Sequence, residues 1–220
     1  MNSYTLTAIV ILALASTGAY FYGTKKNRWI VSGLTRELED LLKPMTTNYV
    51  NIGGAIGYNF AYALSPPYAS AKGTITLSPR HSLLYLPFSL LIGIRDRFFV
   101  NIFTKKKLRG EGHLVAAAYL KKANITGMDQ MERREVVKDD KRFVLLWRGA
   151  DLAADLEKLL EALPDSSHLR HFCSFPETKT LFIHCVPHRG TIRGNLEAIY
   201  VRLPGFVTKE NGKFPEKEQE

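Results

Sequence analysis

From Tyr4 to Tyr22 the chain carries no charged residue and no proline. A helix over this stretch is about 28 Å long at ~1.5 Å per residue, close to the hydrocarbon thickness of a bilayer. Tyr20 and Tyr22 fall where interfacial aromatics belong, and Lys25, Lys26 and Arg28 follow at once. Residues 1–23 therefore read as a single transmembrane anchor, with those three cations as its flank. A basic flank stays on the cytoplasmic side, which predicts an outward N-terminus and a cytoplasmic bulk. The compartment is then the cell membrane, or the ER membrane in a eukaryote. A cleaved signal peptide is the competing reading, because Ala13-Leu14-Ala15 offers a small-residue site. It fits less well: MNSYTLT has no basic side chain, and the cations lie beyond the apolar run instead of before it.

Charge follows the same division. Of the formal net charge of +9, residues 1–110 contribute 13 Lys and Arg against 4 Asp and Glu, while residues 111–220 hold 17 of each. The excess sits in the half attached to the anchor. Anionic lipid or ribosomal RNA attracts such a surface. Two cysteines, Cys173 and Cys185, are too few for a disulfide scaffold and fit a reducing compartment.

Beyond the anchor the pattern alternates between short strands and amphipathic helices. Residues 24–47 form a juxtamembrane helix, with Ile30, Val31, Leu34, Leu38, Leu41 and Leu42 on one stripe and Pro44 as its stop. The segment 48–64 reads as two strands about a glycine turn at Gly53, Gly54 and Gly57, and 72–78 as another strand. Residues 81–103 are the most apolar part of the remainder. The run Leu83–Ile94 is too short to span a membrane and predicts a buried or interfacial helix, kinked at Pro87, with its apolar face in the core. Arg95, Arg97, Lys105, Lys106, Lys107 and Arg109 then form a cluster at the end of that helix, opposed only by Asp96. Such a cluster repels itself unless an anion is near, so these six are the candidate lipid- or RNA-binding residues.

Further on, 113–121 and 142–148 read as strands, with Asp139-Asp140-Lys141 as a turn. Asp151–Leu163 is a Leu-striped helix stopped by Pro164, and 168–175 and 179–186 form a hairpin. Asn195–Leu203 is a last helix, and 208–220 reads as a disordered tail. The sum is an α+β chain: an anchor and one cytosolic domain, 48–207, in which helices pack on an antiparallel sheet.

His168, His171, Cys173, His184, Cys185 and His188 crowd into 21 residues. A hairpin about 177/178 sets His171 opposite His184, and these two are the candidate metal ligands, awaiting a third donor. Cys173 and Cys185 fall on opposite faces in that register. The spacing matches no common zinc pattern, and packing explains buried cysteine as well. A Cys–His nucleophile draws on the same residues without an oxyanion loop. Gly190-Thr191-Ile192-Arg193-Gly194 before a helix is a weak anion-binding candidate. No motif implies a cofactor.

The order of pieces resembles a known family. The span and basic flank lead to Arg36-Glu37-Leu38-Glu39, then to Ser70-Ala71-Lys72-Gly73 and a long apolar-basic helix. Arg148-Gly149-Ala150-Asp151-Leu152 follows with its Leu-rich helix, and Lys179-Thr180-Leu181-Phe182-Ile183-His184-Cys185-Val186-Pro187 precedes the last one. This is similar to the membrane-proximal and cytosolic part of the calumin family, the coiled-coil component of the PAT complex (protein associated with the ER translocon). The resemblance covers most of 4–203. It implies a non-enzymatic factor beside the Sec translocon and the ribosome that helps membrane proteins insert and fold. It does not carry over calcium binding or a ribosome-reaching tail, because the acidic luminal region and the long basic coiled coil have no counterpart here. The alternative is a membrane-tethered metal- or thiol-dependent hydrolase using 168–188.

Overall fold

The computed structural model describes residues 2–187 and 191–208. Helix α1 (Ser3–Leu42) runs unbroken for 40 residues, about 60 Å. The two helices expected over 1–23 and 24–47 are thus one rod, because nothing between Tyr22 and Lys43 breaks the helix. The rod has two halves. Its N-terminal half is apolar and bare, with Ile9, Val10, Ile11, Leu12 and Leu14 exposed, and it is long and apolar enough to cross a membrane. Its C-terminal half buries Gly23, Asn27, Ile30, Leu34, Leu38 and Leu42 at spacings of three and four, the ridge expected of an amphipathic helix. Lys43, in the left-handed region, ends the helix with its N–H bonded to the Glu39 carbonyl.

Strands β1 (Thr46–Asn51), β2 (Gly57–Ala63) and β3 (Tyr68–Thr76) follow as a meander. After β3 come the short helix α2 (Tyr85–Leu91) and strand β4 (Arg97–Thr104). The helix expected over Leu83–Ile94 forms only in part, as α2, and beyond it the chain turns into a strand instead of carrying the helix on. Phe98, Val100 and Ile102 are fully buried while Phe99, Asn101 and Phe103 are half-buried, a period of two that only a strand provides. The unbroken apolar run before it masked the change of period. The apolar segment is not core either: Leu84, Tyr85, Phe88, Leu91 and Ile92 all face outward.

Strand β5 (Glu111–Ala116) ends sooner than expected, turning into a 3₁₀ turn and the short helix α3 (Leu120–Ala123). Strand β6 (Glu132–Lys138) was illegible in the sequence: ERREVVK holds one short apolar pair, and the strand lies at the sheet edge, where charge is tolerated. Strand β7 (Lys141–Arg148) pairs with it across the Asp139-Asp140 turn. Helix α4 (Ala153–Ala162), strands β8 (Leu169–Phe175) and β9 (Thr180–Cys185) and helix α5 (Arg193–Arg202) complete the chain.

The nine strands of the described residues form one antiparallel sheet in the order β1-β2-β3-β4-β9-β8-β5-β7-β6. The fold is α+β. One face carries the main core, where the C-terminal half of α1, α4, α5 and the 203–206 turn cover Phe60, Phe98, Phe143, Phe172 and Ile183. The other face is only partly covered. Met131, Val144 and Leu146 form a small cluster beneath Ala117, Leu120, Ile125 and Met128. Over β1–β4 this second face stays open, and Asn48, Asn59, Lys72, Thr74 and Asn101 line a shallow depression there of about 340 Å³.

The connection from β3 to β4 is pinned to α1. A side chain at Gly23 would stand 2.1 Å from the Arg80 carbonyl oxygen, so the close crossing requires glycine. Buried Asn27 donates Nδ2 to the Ser78 carbonyl at 3.0 Å, and Arg80 Nη1 reaches Asn27 Oδ1 at 3.0 Å. Arg80 also forms a two-pronged ion pair with Asp96, at 2.9 and 2.7 Å. The two ends of segment 79–96 are thereby held beside α1 at Gly23 and Asn27, at the level where its bare half begins. Of the expected tail, residues 209–220 lie outside the described residues, as does His188.

Candidate functional site

The six cations grouped by sequence do not meet. Strand β4 stands between them, eight residues or about 26 Å long. Arg95 and Arg97 lie at the near end of the sheet, flanking Asp96, which Arg80 links to Asn27 of α1. Lys105, Lys106, Lys107 and Arg109 lie at the far end, beyond the Debye length of about 8 Å at physiological salt. Arg109 is also spoken for: Nη1 pairs with Asp155 Oδ2 at 2.5 Å and donates to the Gly205 carbonyl at 2.8 Å. Lys25, Lys26 and Arg28 ring α1 just below its bare half, with Lys26 Nζ 4.3 Å from the centre of the exposed Trp29 ring.

At the near end the second sheet face holds a pocket of about 510 Å³. Arg95, Arg97, Lys122 of α3, Arg170 of β8 and His184 of β9 line it, with Gly93 at the rim. Asp96 is turned away, accepting from the Ser78 N–H at 2.8 Å and from Arg80. His184 is 3 % exposed and its ring lies against Phe99 and Tyr119, centroids 4.3 and 4.9 Å away. Neither of its ring nitrogens has a hydrogen-bond partner among the described residues. Burial, and after it Arg97 and Arg170, push its pKa down to about 4, so the ring is neutral at pH 7.

Deeper under the same face lies a second group. His171 does face His184 across β8 and β9, as the hairpin predicts. The metal-competent set is nevertheless different: His113, His171 and Cys173 place their donor atoms within 4.8 Å of one another. His113 comes from β5, which pairs with β8, and its partner is 58 residues away in sequence. Only the sheet order reveals it. Cys185 points to the opposite face and joins the helix-side core.

Hydrogen bonds link these groups into a chain. Arg148 Nε donates to Glu111 Oε2 at 2.6 Å. His113 Nε2 lies 3.0 Å from Glu111 Oε1, and His113 Nδ1 lies 3.0 Å from His171 Nε2. The self-consistent tautomers have His113 donating to Glu111 and accepting from His171. Cys173 Sγ is 3.8 Å from His113 Nε2. Burial lowers the pKa of His113 against the pull of Glu111. Burial and the two neighbouring histidines bring His171 down to about 3. Burial and Glu111 push the Cys173 thiol up. Two neutral imidazoles and a thiol suit a zinc-type cation once the thiol loses its proton. All three side chains are at most 5 % exposed, so a substrate does not reach them in this arrangement.

The helix N-terminus after residues 190–194 is already served: Ile192 N–H donates to Glu37 Oε2 of α1 at 2.9 Å. Gly190 lies outside the described residues.

Compared with protein-family models and with curated proteins, the chain matches none.

Proposed function

We infer that the chain is a non-enzymatic membrane-anchored binding module that works on the cytoplasmic surface of a bilayer. In this reading the bare half of α1 spans the membrane with its N-terminus outside, and Lys25, Lys26 and Arg28 meet the inner headgroups. One observation carries it. The outward-facing side chains Leu84, Tyr85, Phe88, Leu91 and Ile92 are locked, through Gly23 and Arg80, to the level at which the span ends. In water those five side chains are a liability. Burial in lipid or against an apolar partner is worth on the order of 5–10 kcal/mol in total. The resemblance to the calumin family suggests what the partner is: the Sec translocon or another insertion factor, with nascent membrane proteins as clients. Lys105, Lys106 and Lys107, at the far end, are then the residues facing the cytoplasm, where ribosomal RNA is the polyanion to meet.

Photo-crosslinkers at 84, 88 and 91 of the full chain, in intact membranes, test this. Crosslinks to lipid together with insertion-machinery subunits are expected. Crosslinks to neither defeat the reading.

The His113–His171–Cys173 set supports a second reading, a metal centre that serves hydrolysis after local opening of the sheet face. Metal analysis of the purified protein separates the two. Stoichiometric zinc that disappears in His113→Gln, together with hydrolysis that depends on it, favours the enzyme.

A further inference from the structure

We propose that the near-end pocket is a binding site for a phosphate monoester. Four cations reach it from separate parts of the sheet: Arg95 and Arg97 around the start of β4, Lys122 from α3, and Arg170 from β8. Among the described lining residues there is no carboxylate to offset them. The side chains of Arg97 and Lys122 have no hydrogen-bond or ion-pair partner among the described residues. Arg95 spends Nη1 on the Leu90 and Ile94 carbonyls and Arg170 spends Nη1 on that of Ser167, which leaves their other guanidinium nitrogens. Like charges converging on one concavity repel one another, and an anion reverses that cost. Guanidinium forks match phosphate oxygens two by two.

His184 supplies the independent observation. It is a polar side chain with 3 % exposure and two unpartnered ring nitrogens, held between Phe99 and Tyr119 in the wall of the pocket. Leaving buried polar atoms without partners is costly, and His184 is the residue with both of its side-chain polar atoms in that state among the described residues. As a neutral ring it brings one N–H donor, which a phosphate oxygen accepts. The volume of about 510 Å³ exceeds one phosphate and leaves room for what the phosphate is attached to.

Two sources present this chemistry. A phosphomonoester lipid headgroup arrives from the bilayer, since Gly93 at the rim continues from the exposed apolar segment 83–92. A free phosphate or soluble phosphoester arrives from the cytoplasm. The lipid source rests on the membrane reading above; the pocket itself does not.

The full chain is prepared in detergent and in nanodiscs, with the histidine ring nitrogens labelled. Three discs are compared: phosphatidylcholine alone, with phosphatidic acid, and with phosphatidylserine at matched charge. Inorganic phosphate is titrated into the detergent sample. The expected result is a shift of the His184 ring resonances with phosphatidic acid but not phosphatidylserine. Arg97→Gln/Arg170→Gln should weaken it about tenfold or more. The same loss of charge on the helix layer, Arg36→Gln/Lys158→Gln, should leave it unchanged, and Arg97→Lys/Arg170→Lys should restore part of it. A response to inorganic phosphate with no response to lipid keeps the pocket and assigns a soluble ligand. If the chain fails to enter discs yet His184 responds to phosphate, the membrane reading falls and the pocket stands. Equal shifts with phosphatidylserine, no shift with any phosphate source, or a full response in the Gln variant of a protein whose circular dichroism is unchanged overturns the site.

Discussion

The two ends of β4 carry the same kind of residue and differ in almost everything else. At the far end Arg109 is neutralised by Asp155 and tied to the Gly205 carbonyl, and Lys105 and Lys107 stand in open solvent. At the near end the cations surround a concavity, an aromatic-clamped histidine sits among them, and an apolar segment borders the rim. A run of positive charge in sequence is thus no unit of function. What matters is whether the fold gathers the charges around a volume or spreads them on a surface, and a strand of eight residues is enough to separate the two outcomes.

The near end depends on the close crossing at Gly23, so the largest effect is expected there. Gly23→Leu drives a side chain into the Arg80 backbone and should destabilise the protein by about 3 kcal/mol. A lower urea midpoint and new protease cleavage within 83–94 are the readouts. Unchanged cleavage would detach the segment from α1. Acid comes next. His184, depressed to about 4, binds its proton less readily folded than unfolded, where the value is about 6.5. Its contribution is full above about pH 6.5 and is lost as pH falls toward 4. Up to about 3 kcal/mol should disappear over that window, with buried His171 adding to the loss, and His184→Asn should flatten the slope of stability against pH. A bound phosphate would favour the imidazolium, raise the folded pKa back toward 6.5, narrow the window from its lower end and soften the loss.

At the far end the effects shrink. Asp155→Asn breaks a partly exposed ion pair and should cost about 0.5 kcal/mol in thermal unfolding, less at high salt. A loss several times larger would make the far end as organised as the near one. Smallest is the effect of Lys105→Gln/Lys107→Gln on stability, within about 0.5 kcal/mol. If the proposed function holds, the same variant should lower the salt sensitivity of the ribosome co-purification it expects while leaving retention in the membrane fraction intact. Reduced membrane retention would show that the far end, too, reaches lipid.

Several elements were legible because their signal is local. The C-terminal half of α1 follows from Ile30, Leu34, Leu38 and Leu42, and α4 from its leucine stripe, because neighbours three and four apart share a helical face. The β8–β9 hairpin and the His171–His184 register followed from its short turn. The β1–β2 pair followed from its glycines. The failures also have causes. Around β4 an apolar run conceals the switch from period 3.6 to period 2, and β6 has too few apolar residues to show any period. For the run Leu83–Ile94, hydrophobicity points to the core, but it reports a need for cover without saying what supplies it.

By itself, then, the sequence determined a long apolar helix with a basic collar, an α+β body and a histidine hairpin, because each is written in contacts between near neighbours. Only the tertiary structure decided that Arg95 and Arg97 part from Lys105 to Arg109, that His113 joins His171 and Cys173, and that His184 faces a cationic pocket. Those groupings depend on β9, β8 and β5 lying side by side beyond β4. Strand order is set by how the whole sheet buries one face against three helices, and no local period encodes it.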